Sequence, residues 1–255
     1  MHVPTRGLSG NALKIIAAIT MLIDHVAIIL LPEIQILRTI GRISFPIYAY
    51  MIAEGCYYTR NKLRYFLGIF ALGAVCQAVY IIQSGDDYFG ILITFSISIG
   101  IIYAMQYMKE CFLFGAKAPK KLLSSSVFIA SVLLTYFLNE ELFIDYGFFG
   151  CMAPVFAIAP RMPRKKASAK PTATEEAPLF KQAFLRERLP SIASLTICLV
   201  FLALAMKEGQ IFALLSIPLL LLYSGRRGKI KMKYFFYLFY PLHLVFLYGI
   251  SEIFF

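Results

Sequence analysis

Residues 12–31 read ALKIIAAITMLIDHVAIILL, an apolar run in which only Lys14, Asp24 and His25 carry ionisable side chains. A helix rises about 1.5 Å per residue, so a run of this length matches a bilayer core ~30 Å thick. Asp24 and His25 interrupt the run and no small-residue cleavage site follows, which argues against a cleaved signal peptide. We therefore expect a membrane-spanning helix here.

The rest of the chain repeats this pattern. Of its 255 residues, 60% are hydrophobic and 15% are charged, and the mean hydropathy is +0.73. This composition excludes an ordinary soluble enzyme, a disordered chain and a fibrous repeat. It predicts an all-α, polytopic transmembrane helix bundle with about nine spans. The predicted spans are 12–31, 42–58, 63–83, 88–108, 122–138, 142–160, 190–206, 209–224 and 233–254.

The segments between the predicted spans alternate in charge. Cytoplasmic loops of membrane proteins carry an excess of Lys and Arg, so the alternation predicts a cytoplasmic N-terminus and an outside C-terminus. It also explains most of the formal net charge of +11 without a nucleic-acid partner. The basic loops are 59–64, 109–121, 161–189 and 225–233, and the acidic ones are 84–87 and 139–145.

The longest connection divides the chain into three parts. Residues 164–178, RKKASAKPTATEEAP, have the composition of a flexible linker. We predict spans one to six in 1–160, with the functional site among them, a flexible basic cytoplasmic linker in 161–189, and spans seven to nine in 190–255. A basic segment beside the bilayer can also attract anionic lipid.

The five cysteines are widely spaced and mostly lie within apolar runs. No CxxC or Cys/His spacing indicates a metal or redox site, so we expect no bound metal. We expect buried, neutral thiols instead. They are Cys56, Cys76, Cys111, Cys151 and Cys198.

Two of the three histidines, His25 and His243, lie inside predicted spans. Ionisable groups at membrane depth cost several kcal/mol and usually face the bundle interior. Lys14 precedes His25 by eleven residues, which places both on one helix face about 16 Å apart. The alternative is structural, with Lys14 an interfacial anchor and His25 an interhelical hydrogen bonder.

Further ionisable side chains lie near the ends of the first two predicted spans. Asp24 points about 100° away from His25, towards a second helix, and Arg38 or Arg42 can pair with it. Glu54 lies near the inner end of the second span, where it either pairs with Arg60 or lines a cytoplasmic opening. Structural ion pairs are the competing interpretation for both carboxylates.

The last predicted span reads KYFFYLFYPLHLVFLYG over residues 233–249. Tyr240 precedes His243 by three residues and shares its helix face. Pro241 lacks a backbone donor and loosens the helix beside them. An aromatic stripe alone indicates core packing, but a histidine near mid-span favours a functional role.

Several of these blocks resemble the TraX family, which is named for a membrane protein that N-acetylates the pilin subunit of conjugative pili. The resemblance rests on LSGNALKIIAAITMLIDH (8–25), GRISFPIYAYMIAEGCYYTRN (41–61), FFYLFYPLHL (235–244) and, more weakly, DYGFFG (145–150). TraX-like proteins are in turn similar to membrane acyltransferases that carry a basic residue, ten intervening residues and a histidine. Lys14 and His25 have that spacing.

The resemblance implies an integral membrane acetyltransferase of the bacterial cytoplasmic membrane, with acetyl-CoA as donor substrate. The acceptor is an amine or hydroxyl of a peptide, a glycan or a small metabolite, and a homo-oligomer is compatible with the sequence. A histidine can act as base or acyl carrier, and cations can bind the donor phosphates. The expected catalytic residues are His25, Asp24, His243 and Tyr240. The expected donor-binding residues are Lys14, Asn11, Arg42, Glu54, Arg60 and Arg64.

Two other functions fit the same sequence. Intramembrane His and Asp also build proton relays, so a proton-coupled small-molecule transporter is the main alternative. A transporter moves substrate across a sealed membrane without consuming acetyl-CoA. A non-catalytic assembly protein is the third possibility, and it would keep its function without either histidine.

Overall fold

The fold is known from a computed structural model that describes residues 7–84, 88–163, 184–206, 209–228, 230 and 232–254. Every regular element in these ranges is helical, apart from two isolated β-bridges that join Leu8 to Tyr223 and Phe89 to Ile144. The predicted all-α class is therefore confirmed.

Ten α-helices are described, and two of them are preceded by a short helix of another type. The first five are α1 (Gly10–Ile29), α2 (Gln35–Gly41), α3 (Ser44–Tyr58), α4 (Lys62–Ser84) and α5 (Ile91–Leu113). The others are α6 (Ala118–Glu141), α7 (Gly147–Ile158), α8 (Leu189–Met206), α9 (Ser216–Leu221) and α10 (Lys233–Phe254). A π-helical turn (Phe184–Arg188) precedes α8, and a 3-10 helix (Gln210–Leu215) precedes α9.

Six helices in the described ranges are long and apolar enough to cross a bilayer: Gly10–Ile29, Lys62–Ile82, Ile91–Leu113, Ala118–Glu141, Arg186–Met206 and Phe235–Ile253. The other three predicted spans correspond to shorter helices, namely α3, α7 and the 3-10 helix with α9. Nine crossings and the sides of the two termini stay predictions.

Helices α3, α5, α7 and α8 supply most of the buried core, and α6 lies at the periphery. Phe45 and Tyr50 of α3 are almost fully buried, as are Ile99 of α5 and Leu195 of α8. Helix α6 instead leaves most of its large apolar side chains exposed, which suits a helix whose outer face contacts lipid.

The residues just before the last helix, α10, form hydrogen bonds with the beginning of the first helix, α1. Ser9 caps α1 by accepting a hydrogen bond from the Ala12 amide. We call residues 222–228 the C-terminal loop; its Arg226 carbonyl accepts from the Gly10 amide at 2.7 Å. Asn11 donates its side-chain amide to the Ile230 carbonyl at 2.6 Å. These contacts bring α10 alongside α1, which the sequence separates by more than 200 residues.

The DYGFFG motif makes a tight turn into α7. Tyr146 has a left-handed backbone with φ of 58°, an uncommon conformation for a bulky residue. Its ring stacks on Phe45 with centroids 4.0 Å apart. The Asp145 amide donates to the Phe89 carbonyl at 2.9 Å, so this turn is joined to the segment that precedes α5.

Most of the predicted linker, residues 164–183, lies outside the described residues. The structure describes the two ends of this linker segment. Arg161 is buried at 5% exposure, and Phe184–Arg188 forms the π-helical turn that leads into α8.

Candidate active site

A cavity of about 690 Å³ opens beside the first turns of α1. We call it the basic cavity because Lys14, Arg64 and Arg227 line it from three separate segments. Asn11 and Glu54 also line it, together with aromatic residues of α3, α4 and α10. Three cations around one opening favour an anionic ligand.

Side chains rather than the helix terminus would hold an anion in the basic cavity. The amides of Gly10 and Asn11 already donate to carbonyls of the C-terminal loop, and the Ala12 amide donates to Ser9. The first amides of α1 are therefore engaged. Lys14 lies one turn further along, with Nζ 6.0 Å from the centroid of the Phe236 ring of α10.

A second cavity of about 330 Å³ lies near the other end of α1. We call it the histidine cavity because His25 lines it, and its charged residues are Asp24, Arg38, Arg42 and Asp145. Gln77, Tyr80, Tyr88, Tyr146, Gln210 and Tyr248 add polar groups and aromatic faces. Opposite charges and neutral hydrogen-bonding groups thus surround the imidazole.

His25 and His243 contact one another although 218 residues separate them. Nδ1 of His25 lies 2.9 Å from Nε2 of His243, and the ring centroids are 4.9 Å apart. Nδ1 of His243 lies 2.9 Å from the carbonyl oxygen of Phe239 one turn earlier in α10. The two predicted mid-span histidines therefore form one hydrogen-bonded pair.

Tyr240 lines both cavities and packs against this pair. Its ring meets the His243 ring edge to face, with centroids 5.4 Å apart. Ile91 and Leu92 at the start of α5 also line both cavities. A small group of side chains on α5 and α10 therefore separates the two spaces.

Asp24 makes the type of ion pair that the sequence indicated. Its carboxylate lies 3.9 Å from Nε of Arg38 on α2. Gly41 permits this approach, because a Cβ atom at that position would lie 2.3 Å from the Asp24 side chain. Arg42 follows α2 and lines the histidine cavity, whereas Lys14, with which it was predicted to bind the donor, lines the basic cavity.

Residues 9–175 and 176–251 match the family described as TraX protein. The chain belongs to the TraX family. It is 32% identical over 76 residues to the probable fimbrial assembly protein FimC, serogroup H1, of Dichelobacter nodosus, which covers 28% of this chain and 31% of that one. It is 28% identical over 139 residues to the uncharacterized protein RP591 of Rickettsia prowazekii (strain Madrid E), covering 54% and 50%.

These matches span about a third and a half of the lengths of the two relatives. No solved structure is significantly similar to the chain. The family matches nearly all of the chain, and the six long apolar helices among the described residues fit a membrane protein. The sequence resemblance to TraX is thereby confirmed.

The structure divides the predicted site residues of this TraX chain between the two cavities. Lys14, Asn11, Glu54 and Arg64 line the basic cavity, while His25, Asp24 and Arg42 line the histidine cavity. Arg60 is exposed and lies outside both linings. It lies two residues beyond the end of α3.

Two arginines near the basic cavity were not predicted as site residues. Arg227 lines that cavity, yet in the sequence it only marked a basic cytoplasmic turn. Arg161 forms a buried ion pair with Glu54, for which the sequence had offered Arg60. Only spatial neighbours distinguish either arginine from the many loop cations that orient membrane helices.

The Arg161 guanidinium contacts three side chains on two helices, α3 and α8. It donates to the hydroxyls of Tyr50 and Ser191 at 2.9 Å each, in addition to its contact with Glu54. Burial disfavours its charge, but the interactions with Glu54, Tyr50 and Tyr58 together outweigh burial, so the pKa of Arg161 is raised above its usual value. The Glu54–Arg161 ion pair therefore keeps two opposite charges in fixed positions at the wall of the basic cavity.

Proposed function

We propose that this chain is an integral membrane acetyltransferase that moves an acetyl group from acetyl-CoA to an amine or hydroxyl acceptor. The observation that carries the proposal is the His25–His243 pair, which packs against Tyr240, a residue that lines both cavities. A membrane-embedded imidazole beside two separate binding spaces suits a transfer between two substrates.

The donor would bind in the basic cavity. Its phosphates suit Lys14, Arg64 and Arg227, and a volume of about 690 Å³ falls within the usual range of ligand sites. Lys14 and His25 lie on one continuous helix about 16 Å apart, a distance comparable to an extended pantetheine arm. The thioester would then lie close to Tyr240 and His25.

The acceptor would bind in the histidine cavity, beside His25. The acceptor nitrogen or oxygen forms a bond to the thioester carbonyl carbon while its proton passes to His25. The carbon–sulfur bond breaks, and the CoA sulfur receives that proton. Tyr240 is close enough to the pair to donate a hydrogen bond to the carbonyl oxygen during the reaction.

The family indicates an acceptor that carries a nucleophilic amine or hydroxyl. TraX proteins are named for N-acetylation of a pilin subunit, and one relative is named as a probable fimbrial assembly protein. A peptide N-terminus, an amino sugar and a glycan hydroxyl all present the required nucleophile. We place the protein in the bacterial cytoplasmic membrane, with the basic cavity facing the cytoplasm where acetyl-CoA is made.

Acetyl-CoA binding to the protein in nanodiscs tests the donor assignment. Wild type should bind saturably, and Lys14→Ala should weaken binding about tenfold because it removes one phosphate contact, ~1.4 kcal/mol. His25→Ala should bind normally but lose thiol release from acetyl-CoA. Lys117→Ala is the matched control, since Lys117 is an exposed cation on another loop.

Two results would contradict this function. A well-folded wild type that fails to bind acetyl-CoA would remove the donor. Equal transfer by wild type and His25→Ala, at equal protein levels, would remove the proposed base.

A proton-coupled transporter is the second candidate, because two cavities near opposite ends of α1 that share Tyr240 also suit alternating access. Sealed vesicles distinguish the two functions. A transporter accumulates its substrate without releasing CoA, whereas the acetyltransferase releases CoA in step with acetylated product.

A further inference from the structure

We propose that His243 is a positioning residue that fixes the tautomer of His25, so that Nε2 of His25 is the nitrogen that reacts. The catalytic part of this proposal rests on the proposed acetyl transfer. The tautomer itself rests on hydrogen-bond geometry alone and can be measured without any substrate.

The Phe239 carbonyl oxygen can only accept a hydrogen bond. Nδ1 of His243 lies 2.9 Å from that oxygen, so Nδ1 must carry a proton. A neutral imidazole has a single N–H, and Nε2 of His243 is therefore an acceptor. His243 is 5% exposed within a membrane-spanning helix, where an imidazolium is costly.

The orientation of His25 follows from that of His243. Nδ1 of His25 lies 2.9 Å from the accepting Nε2 of His243, so His25 must donate from Nδ1. Nε2 of His25 is then left without a proton and carries a lone pair. Since His25 lines the histidine cavity while its Nδ1 is bonded to His243, Nε2 is the nitrogen available to an acceptor there.

Packing fixes the accepting ring in place. The His243 ring stacks on Phe239 with centroids 5.1 Å apart and planes 10° from parallel, and Tyr240 meets it edge-on. A ring held on two sides keeps Nε2 aimed at His25, as supporting partners do for other reactive histidines.

The pair also prepares His25 for the charge that develops in the transfer. When Nε2 of His25 takes the acceptor proton, the resulting imidazolium still donates from Nδ1 to the lone pair on His243. This arrangement has the logic of a carboxylate–histidine dyad, with a neutral imidazole in the carboxylate's position. His243 therefore acts through His25 and does not itself touch the substrates.

Nitrogen-15 NMR of histidine-labelled protein in nanodiscs tests the tautomer directly, because the chain has only three histidines. In wild type, Nδ1 of both His25 and His243 should be protonated and both Nε2 atoms should be unprotonated. In His243→Gln the amide oxygen can still accept from His25, so the His25 pattern should persist. In His243→Leu the acceptor is gone and the His25 pattern should change.

Thiol release from acetyl-CoA, with water as acceptor, tests the catalytic consequence. His243→Leu should lower kcat about 10- to 100-fold, the usual loss for an orienting partner, with KM nearly unchanged. His243→Gln should stay within about threefold of wild type, since the accepting atom is retained. Melting temperature and acetyl-CoA binding show whether each variant is folded.

Three outcomes would overturn the proposal: a His25 protonated on Nε2 in wild type, a His25 pattern unaffected by His243→Leu, or wild-type kcat in that variant. If His243→Leu does not fold, the wild-type and His243→Gln spectra still decide the tautomer. The expected tautomer in a wild type that neither binds acetyl-CoA nor releases thiol would support the pair geometry and would contradict the acetyltransferase function separately.

Discussion

At the residue scale, the buried ion pair between Glu54 and Arg161 is the clearest feature that sequence patterns did not reveal. Their side chains are 9% and 3% exposed, and Tyr50 and Ser191 accept hydrogen bonds from the guanidinium. Glu54 also lines the basic cavity. A buried charge that loses its partner is strongly destabilising, so each residue depends on the other.

We predict that Arg161→Met lowers the free energy of unfolding by about 3 kcal/mol, because it leaves the Glu54 carboxylate buried without a cation. Arg60→Met is the matched control and should change the free energy by less than about 0.5 kcal/mol, since Arg60 is exposed. Urea titration in detergent micelles measures both variants.

The double variant Glu54→Gln with Arg161→Met sharpens this test. It leaves no unpaired buried charge, so it should recover part of the stability that Arg161→Met loses. Unchanged stability in Arg161→Met, or a larger loss in Arg60→Met, would restore the pairing with Arg60.

At the element scale, the C-terminal loop determines how the two ends of the chain combine. It accepts hydrogen bonds from the first amides of α1 and carries Arg227 into the basic cavity. Gly228 has φ of 99°, and a Cβ atom there would lie 2.9 Å from the Asn11 side chain. Glycine is required by both the backbone conformation and the close approach.

We predict that Gly228→Ala weakens acetyl-CoA binding about tenfold, or ~1.4 kcal/mol, because the loop must shift away from α1 and take Arg227 with it. Gly115→Ala is the matched control. Gly115 also has a left-handed backbone, with φ of 67°, but a Cβ atom there meets open space. Isothermal titration with acetyl-CoA compares the two, and equal effects would show that backbone strain alone explains the loss.

At the scale of the whole molecule, α6 provides a test of orientation. It begins after Lys117 and ends at Glu141, so a basic segment and an acidic segment lie at its two ends. Its large apolar side chains are mostly exposed, as expected for a helix that faces lipid. The charge rule places its beginning on the cytoplasmic side.

We predict that Glu141→Cys reacts with a membrane-impermeant maleimide in intact cells, whereas Lys117→Cys reacts only after the membrane is opened. Both positions are exposed, and all five native cysteines are buried, so background labelling should be low. Wild type is the control for that background. The reverse labelling pattern would invert the topology and would place the basic cavity away from the cytoplasm.

The helical class and most helix positions could be predicted from the sequence, because hydropathy reports how a segment fits a bilayer. Segment length was predicted less well. Predicted span 209–224 is a 3-10 helix followed by the six-residue helix α9, although its composition is as apolar as a longer span. Apolar composition is shared by buried core helices and membrane spans, so hydropathy alone does not separate them.

Residue types and their spacing were enough to predict the family, the helical class and the two histidines as the polar groups to explain. The contact between Nδ1 of His25 and His243, the pairing of Arg161 with Glu54, and the place of Arg227 beside Lys14 became known from the folded structure. These contacts join residues far apart in the chain, and helix periodicity describes one helix at a time. Which faces meet depends on how all the helices pack together.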